Sequence, residues 1–337
     1  MKNIKPVLTV AIPTYNRANK LKDTLIAVNY EVQKYPKKIE IVVSDNNSTD
    51  STKKTIEELQ SYMDISYYKN KQNLGFDSNV NIAIKKSKAN FVLLMSDDDI
   101  LLKGSLEKYI DLIAKEQELT VVIGGANFFT HNLKSQVSNF KDEAFNNFKE
   151  KKTYIFENGA ELMKFSKKIF CGVSGVAFNR KKYLQEDMQE FIGTQFIHTA
   201  AMFRMLSRGE SAVAVINEPI FMYRLGDDDF AKIKSADEIM SVGLGLLDLL
   251  LKVKNNIDRQ EWNIIYKKEL NWVRRLLIGI KSREGLNLKI INRYKLLLDK
   301  DRSYKILDFI ILKIPDILFK FPYLFYRLVK YKKIGYK

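Results

Sequence analysis

The chain has 337 residues, 46% of them hydrophobic, a formal net charge of +16 and one cysteine, Cys171. That apolar content excludes a disordered chain, a single thiol excludes an internal disulfide framework and fits a reducing compartment, and no apolar run is long enough to span a bilayer. The charge is uneven: residues 1–230 carry 32 Lys and Arg against 29 Asp and Glu, whereas residues 231–337 carry 24 against 11, so the basicity belongs to the C-terminal third.

The first residues, Met-Lys-Asn-Ile-Lys-Pro, hold no apolar stretch followed by a small-residue cleavage site, which points to the cytoplasm. Residues 7–12 read as a strand stopped by Pro13-Thr-Tyr-Asn-Arg17, and residues 20–34 as a helix. A second strand over 38–44 meets Asp45-Asn-Asn-Ser-Thr-Asp50, which opens a helix to residue 62. A third strand (65–69), a turn at Asn73-Leu-Gly75 and a helix (79–88) lead to the apolar run Phe91-Val-Leu-Leu-Met95. Alternation of this kind predicts an α/β fold with a doubly wound, mostly parallel (mixed) sheet flanked by helices.

The run at Phe91 ends in Asp97-Asp98-Asp99. Three adjacent carboxylates raise the cost of ionising one another. A hard divalent cation with oxygen ligands, Mg2+ or Mn2+, removes that cost and leaves positions open for phosphate oxygens. The plainer alternative is a polar loop capping the next helix.

Beyond it, residues 104–118 read as a helix and 120–129 as a strand whose Gly124-Gly125 marks a close approach of another backbone. Residues 131–152 carry little signal. The pattern resumes at Cys171-Gly-Val-Ser-Gly-Val-Ala-Phe178, then a helix over 198–207 and a strand over 211–216. The second acidic run, Asp227-Asp-Asp229, reads as a solvated loop. From residue 236 the pattern is helical almost to the end, broken at Pro315 and Pro322.

Taken together, Pro13-Thr-Tyr-Asn-Arg17, Ser44-Asp-Asn-Asn-Ser-Thr-Asp50 and Ser96-Asp-Asp-Asp99, each after a strand and in this order, resemble family 2 glycosyltransferases of the GT-A fold. The resemblance covers roughly residues 1–230, and the pattern around Asn46 and His198 is most similar to bacterial O-antigen enzymes such as abequosyltransferases. It implies a nucleotide-binding half over about 1–125, an acceptor half over 126–230 and a basic helical extension over 231–337. It also implies an inverting transfer from a nucleotide-sugar donor, UDP-, dTDP- or CDP-linked, to a glycan or lipid-linked glycan hydroxyl. Pro13, Thr14, Tyr15 and Arg17 then border the nucleotide, with Tyr15 stacking on the base. Asp45 and Asn46 read the base edge, Asn46 standing where the family more often has a second carboxylate. The Asp triplet corresponds to the DXD motif: Asp97 and Asp98 serve the donor, and Asp97 and Asp99 hold Mn2+ or Mg2+. Arg224 holds phosphate from a mobile loop, while Gly172 and Gly175 let backbone approach the sugar. Relatives carry a Glu-Asp pair with an Arg six residues after the Asp. Counting back six from Arg204 gives His198, so the resemblance makes that imidazole the base.

A sugar nucleotidyltransferase would need a glycine-rich phosphate loop after the first strand, and Pro13-Thr-Tyr-Asn-Arg17 has no glycine. A non-catalytic nucleic-acid binder is suggested by charge alone, and the basic region mixes its Lys and Arg with Phe, Tyr and Leu and holds no recognised nucleic-acid motif. That mixture, clearest in Phe319-Lys-Phe-Pro-Tyr-Leu-Phe-Tyr-Arg-Leu-Val-Lys330, points to the inner face of the cell membrane as a peripheral site, with packing or homo-oligomer contact as the alternative.

Overall fold

The computed structural model describes residues 5–35, 37–116, 118–130, 133–137, 143–208, 211–225, 236–281, 285–301 and 305–313. The first half runs β1 (Leu8–Thr14), α1 (Ala18–Val32), β2 (Ile39–Asp45), α2 (Thr52–Leu59), β3 (Ile65–Lys69), α3 (Phe76–Lys86), β4 (Phe91–Leu94), β5 (Ile100–Leu101), α4 (Ser105–Lys115) and β6 (Leu119–Thr130). It continues with β7 (Thr153–Phe156), α5 (Gly159–Ser166), β8 (Val176–Asn179), α6 (Arg180–Tyr183), α7 (Ile197–Leu206) and β9 (Ala212–Leu225). Four helices follow: α8 (Ala236–Lys252), α9 (Arg259–Lys281), α10 (Leu288–Asp301) and α11 (Ile306–Lys313).

The strands form one nine-stranded sheet in the order β3-β2-β1-β4-β8-β6-β9-β5, with β7 also paired to β9. Strands β3, β2, β1 and β4 are mutually parallel, β8 runs antiparallel between β4 and β6, and β6 and β9 are parallel. The expected mixed sheet is therefore present. Because β1 sends its chain one way to β2 while β4 lies on its other side, the strand order reverses beside β1, where open α/β sheets bind ligands at their carboxyl ends.

Alternation along each strand divides the core. Leu8, Val10, Ile12, Leu93 and Met95 face α1, α2 and α4, while Ala11, Val92 and Leu94 join α3 and α7 on the other face. That second core continues without a break into the C-terminal helices through Leu244, Leu247, Trp262, Val273, Tyr294 and Ile311. Contact between α8 and the loop before α7 is close enough that a Cβ on Gly245 would lie 2.0 Å from the Thr194 carbonyl oxygen. Of the expected backbone approach at Gly124-Gly125, Gly125 shows it, a Cβ there lying 3.1 Å from the Glu218 carbonyl oxygen, whereas at Gly124 the close neighbours are side chains, Tyr109 Oη at 2.4 Å and Ile220.

Several elements depart from the sequence reading. Strand β9 runs past Ile216 through Pro219, because a register shift opposite Gly124 and Gly125 accommodates a residue that cannot donate to a ladder. Strand β5 is two residues long and β7 four, too short for a period to register. The apolar run beginning at Cys171 enters the sheet only at Val176. Asp227-Asp-Asp229, Pro315, Pro322 and the 319–330 segment lie outside the described residues. Among the described residues, no helix is long and apolar enough to cross a membrane.

The last helices are tied by a buried ion pair. Arg274 on α9 is 2% exposed and Asp308 on α11 is fully buried. The guanidinium Nε donates to Asp308 Oδ1 at 2.7 Å and Nη2 to Oδ2, while Tyr294 Oη of α10 also donates to Oδ1. Removing one partner strands a buried charge, which costs about 3–5 kcal/mol. Asp308→Ala is therefore expected to lower chemical-denaturation stability by about that much, and Arg274→Met with Asp308→Leu to recover most of it. A loss under about 1 kcal/mol for Asp308→Ala would show that the pair does not hold α11 in place.

Candidate active site

The carboxyl ends of β1, β2 and β4 open into a cleft of about 550 Å3. Pro13, Thr14, Tyr15, Arg17, Asn46, Asn73, Phe76, Asp97, Asp98, Asp99, Gly172, Phe196, His198, Arg224 and Val242 all line it. Two of the expected residues do not. Gly175 packs in the sheet, where a Cβ would meet Phe221 at 2.7 Å, and Asp45 is fully buried behind the cleft. Asp45 Oδ1 accepts from Ser48 N at 2.7 Å and Oδ2 from Tyr67 Oη at 2.5 Å, so this carboxylate shapes the loop after β2 and does not face a base. Burial beside that carboxylate pushes the Tyr67 phenol well above its usual range.

Asn46 reaches the cleft, but its amide is already committed. Nδ2 donates to Asn73 Oδ1 at 2.7 Å and to the Gly75 carbonyl at 3.2 Å; Oδ1 accepts from Leu74 N at 2.9 Å and Asn70 Nδ2 at 3.1 Å. Asn70 continues to Asn79 Oδ1 at 3.0 Å, and Asn79 donates to the Ser44 carbonyl at 2.8 Å. Asn46 thus ties the end of β2 to the turn at 70–75, with both amide hydrogens and the oxygen engaged. The sequence reading did not assign Asn70, Asn73 and Asn79 to the site, although five asparagines within residues 46–79 were a visible signal for side-chain-to-backbone bonding. Tyr15, 42% exposed, lines the same cleft.

At the centre lie the three carboxylates, all less than a tenth exposed. Arg17 Nη1 bridges Asp97 Oδ1 at 2.9 Å and Asp98 Oδ2 at 3.0 Å, and Thr14 Oγ1 donates to Asp97 Oδ2 at 2.7 Å. Burial raises the Asp97 carboxyl, and the Arg17 charge opposes the rise. Among the described residues Asp99 has no such cation: Ser174 Oγ donates to Oδ2 at 2.6 Å and Arg224 N to Oδ1 at 3.3 Å. Burial, followed by repulsion from Asp98, pushes its carboxyl up to about 8. Oxygen donors short of positive charge fit a hard divalent cation. Among the described residues no three His, Cys, Asp or Glu side chains converge on one point, so a cation here would complete its shell with substrate oxygens and water. Arg224 sits within β9, not on a mobile loop, its Nε donating to the Asp98 carbonyl at 2.9 Å.

The remaining end of the cleft is apolar, with Phe76, Val173, Phe196 and Val242 around His198. His198 is 2% exposed, on the first turn of α7. Its Nε2 lies 2.9 Å from the Cys171 carbonyl. A carbonyl only accepts, so Nε2 carries the proton and Nδ1, which has no partner among the described residues, keeps its lone pair. Burial holds the imidazole down to about 4, so it is neutral at pH 7. Arg204 does not reach the cleft but pairs with Glu190 at 3.1 Å over the Phe191 ring.

The model for glycosyl transferase family 2 matches residues 9–187, more than half of the chain. Over 78% of its length the chain is 28% identical to the GalNAc(5)-diNAcBac-PP-undecaprenol beta-1,3-glucosyltransferase of Campylobacter jejuni, covering 79% of that protein. It is 26% identical to the abequosyltransferase RfbV of Salmonella typhimurium, again over 78% of each chain. Similar solved structures include S. aureus TarS 1–349 in complex with UDP-GlcNAc, with a TM-score of 0.57, 14% identity and coverage of 87% of this chain and 81% of that one. A second is the Pyrobaculum calidifontis mannosyltransferase PcManGT in complex with GDP-Man and Mn2+, with a TM-score of 0.55, 17% identity and coverage of 97% and 87%. At these identities the structural likeness speaks for the fold.

The amide network yields a stability test. Asn46→Asp places carboxylate oxygen against Asn73 Oδ1 and the Gly75 carbonyl, replacing two donated bonds with repulsion. The expected loss is about 1–3 kcal/mol in denaturant unfolding, and a variant as stable as the parent would show that the network does not order the turn.

Proposed function

We propose, from a chain that belongs to glycosyl transferase family 2, an inverting, divalent-metal-dependent transfer of a sugar from a nucleoside diphosphate donor to a hydroxyl of a lipid-linked glycan. One observation carries the reading: an exposed aromatic, a buried carboxylate trio of which only Asp97 and Asp98 meet a cation among the described residues, and a neutral imidazole line one cleft. The printed substrates of the relatives, a polyprenyl-diphosphate glycan in one and nucleotide sugars in the solved structures, support the substrate classes. A UDP-, dTDP- or CDP-linked donor would lay its base against Tyr15, in the part of the cleft bordered by Asn46, Asn73 and Gly75. Arg17 and Arg224 lie beside the diphosphate position, and Asp97 and Asp99 would hold Mn2+ or Mg2+, which neutralises charge on the departing diphosphate.

On the acceptor side, His198 Nδ1 takes the hydroxyl proton as the acceptor oxygen bonds to the anomeric carbon from the face opposite the leaving group. The bond from that carbon to the diphosphate oxygen breaks, and its electron pair leaves with the nucleotide. The proton left on the ring is supported at Nε2 by the Cys171 carbonyl. An imidazole held near 4 is a weak base, effective only as the attacking oxygen becomes acidic in the transition state. Among the described residues lining the cleft, the only carboxylates are the Asp97–Asp99 trio. Glu190 is paired with Arg204, and Asp187 Oδ1 accepts from Gln189 N.

Separate measurements of donor binding and turnover test the assignments. Asp99→Ala is expected to abolish transfer and metal-dependent donor binding together. His198→Ala should cut turnover by about 100-fold or more, near the contribution of a general base, while donor affinity stays within about two-fold. Full activity of Asp99→Ala in EDTA would remove the metal role, and near wild-type turnover of His198→Ala would remove the base.

The membrane side of the reading rests on α11. Ile306 is 82% exposed and Phe309 61%, on a stripe ending at exposed Lys313, while the one acid of the helix, Asp308, is turned inward. From Lys305 to Lys337 the chain has eight Lys and Arg against two Asp. An apolar stripe in a basic setting suits an anionic bilayer surface. Ile306→Ser with Phe309→Ser is expected to weaken flotation with anionic vesicles at least several-fold. Unchanged flotation, or a change in sedimenting mass without one in flotation, would assign the stripe elsewhere.

A further inference from the structure

The acceptor end of the cleft is held by a carboxylate that belongs to the nucleotide half. Asp77, in the first turn of α3, is 3% exposed and does not line the cleft. Its Oδ2 accepts from Gln195 N at 2.7 Å and Gly193 N at 2.8 Å, and its Oδ1 from Ile197 N at 3.1 Å. These three amides span the loop that delivers Phe196 and His198. Gln195 takes φ +67°, a left-handed conformation that costs a non-glycine residue of order 1 kcal/mol and persists only where surroundings fix it.

The same turn of chain faces both halves of the site. Gly75 takes an amide from Asn46 on its carbonyl and gives its N–H to Asn73 Oδ1 at 2.9 Å. Phe76 sets its ring edge-on to His198, centroids 6.2 Å apart at 88°. Residues 75, 76 and 77 thus touch, in sequence, the turn beside Tyr15, the imidazole and the loop that carries it. On its other side the loop is closed by α8, through Gln195 Nε2 to Ser241 Oγ at 2.7 Å and the Gly245 approach to Thr194.

We infer that Asp77 is a positioning residue for acceptor chemistry: by taking three N–H bonds from residues 193–197 it fixes Phe196 and His198 against the acceptor hydroxyl, without touching donor, metal or acceptor. The inference rests on His198 as the base. Its consequence is separable from stability, because donor binding and slow donor hydrolysis by water need the cleft but not this loop geometry.

The test compares Asp77→Asn and Asp77→Ala with His198→Ala in the full chain, with UDP-GlcNAc and dTDP-rhamnose as donor probes and Mn2+ present. In Asp77→Asn one oxygen still accepts while the other becomes an NH2 facing an N–H. Transfer kcat is expected to fall about ten-fold or more, with donor KM and the hydrolysis rate within about two-fold. The ratio of transfer to hydrolysis therefore drops, and Asp77→Ala drops it further. A merely structural role would lower both rates together through a smaller folded fraction and leave the ratio unchanged, which overturns the inference. If Asp77→Ala does not fold, Asp77→Asn alone decides. Should His198→Ala retain transfer, the base reading fails; should it lose transfer while both Asp77 variants keep the wild-type ratio, only the role of Asp77 fails.

Discussion

Three adjacent carboxylates at the end of a fully buried strand constrain everything around them. Water cannot solvate Asp97, Asp98 and Asp99 well at under a tenth exposure, so their charge must be met from the surrounding structure. Thr14 and Arg17 come from the end of β1, Ser174 from the loop before β8, and Arg224 from the far end of β9. Strands β1 and β8 flank β4, so the donors at their adjoining ends, Thr14 of β1 and Ser174 just before β8, reach the carboxylates that follow it. Even so, among the described residues no cation meets Asp99, and burial with repulsion from Asp98 pushes its carboxyl up to about 8.

The parallel half was legible because the apolar runs that form β1, β2 and β4 are each stopped by a polar cluster. The Asp triplet and the loop at 13–17 declare themselves by contrast with the apolar runs before them, and all of these residues but Asn16 line the cleft. What the sequence hid has physical reasons. Asp45 and Asn46 look alike as polar residues after a strand, yet one turns inward to Ser48 and Tyr67 and the other spends its amide on the neighbouring turn. Hydrogen-bond saturation is a property of three-dimensional neighbours and leaves no trace in spacing. Asp77 was invisible for the same reason, since its partners lie more than 110 positions away.

The second half was harder because its strands are short or interrupted. Strand β9 bridges β6, β7 and β5, and its continuation past Pro219 depends on a bulge that no local pattern announces. Arg224 consequently appears on a rigid ladder where the sequence suggested a loop. The C-terminal helices share one hydrophobic core with α3 and α7, and Val242 of α8 lines the cleft beside Phe196. A basic region whose charge suggests surface attachment is, on its inner side, part of the wall around the imidazole.

Gly245 shows how that wall is aligned. A glycine in mid-helix sacrifices roughly 0.5–1 kcal/mol relative to alanine, and nothing within α8 itself calls for one. The positions one turn away, Ser241 and Leu249, both carry a Cβ, and only Gly245 can sit against the Thr194 carbonyl. Sliding α8 by a turn in either direction would drive a side chain into that oxygen. The glycine therefore acts as an index mark, a single notch that lets the helix seat at one axial setting, and the whole C-terminal assembly inherits its alignment from that notch.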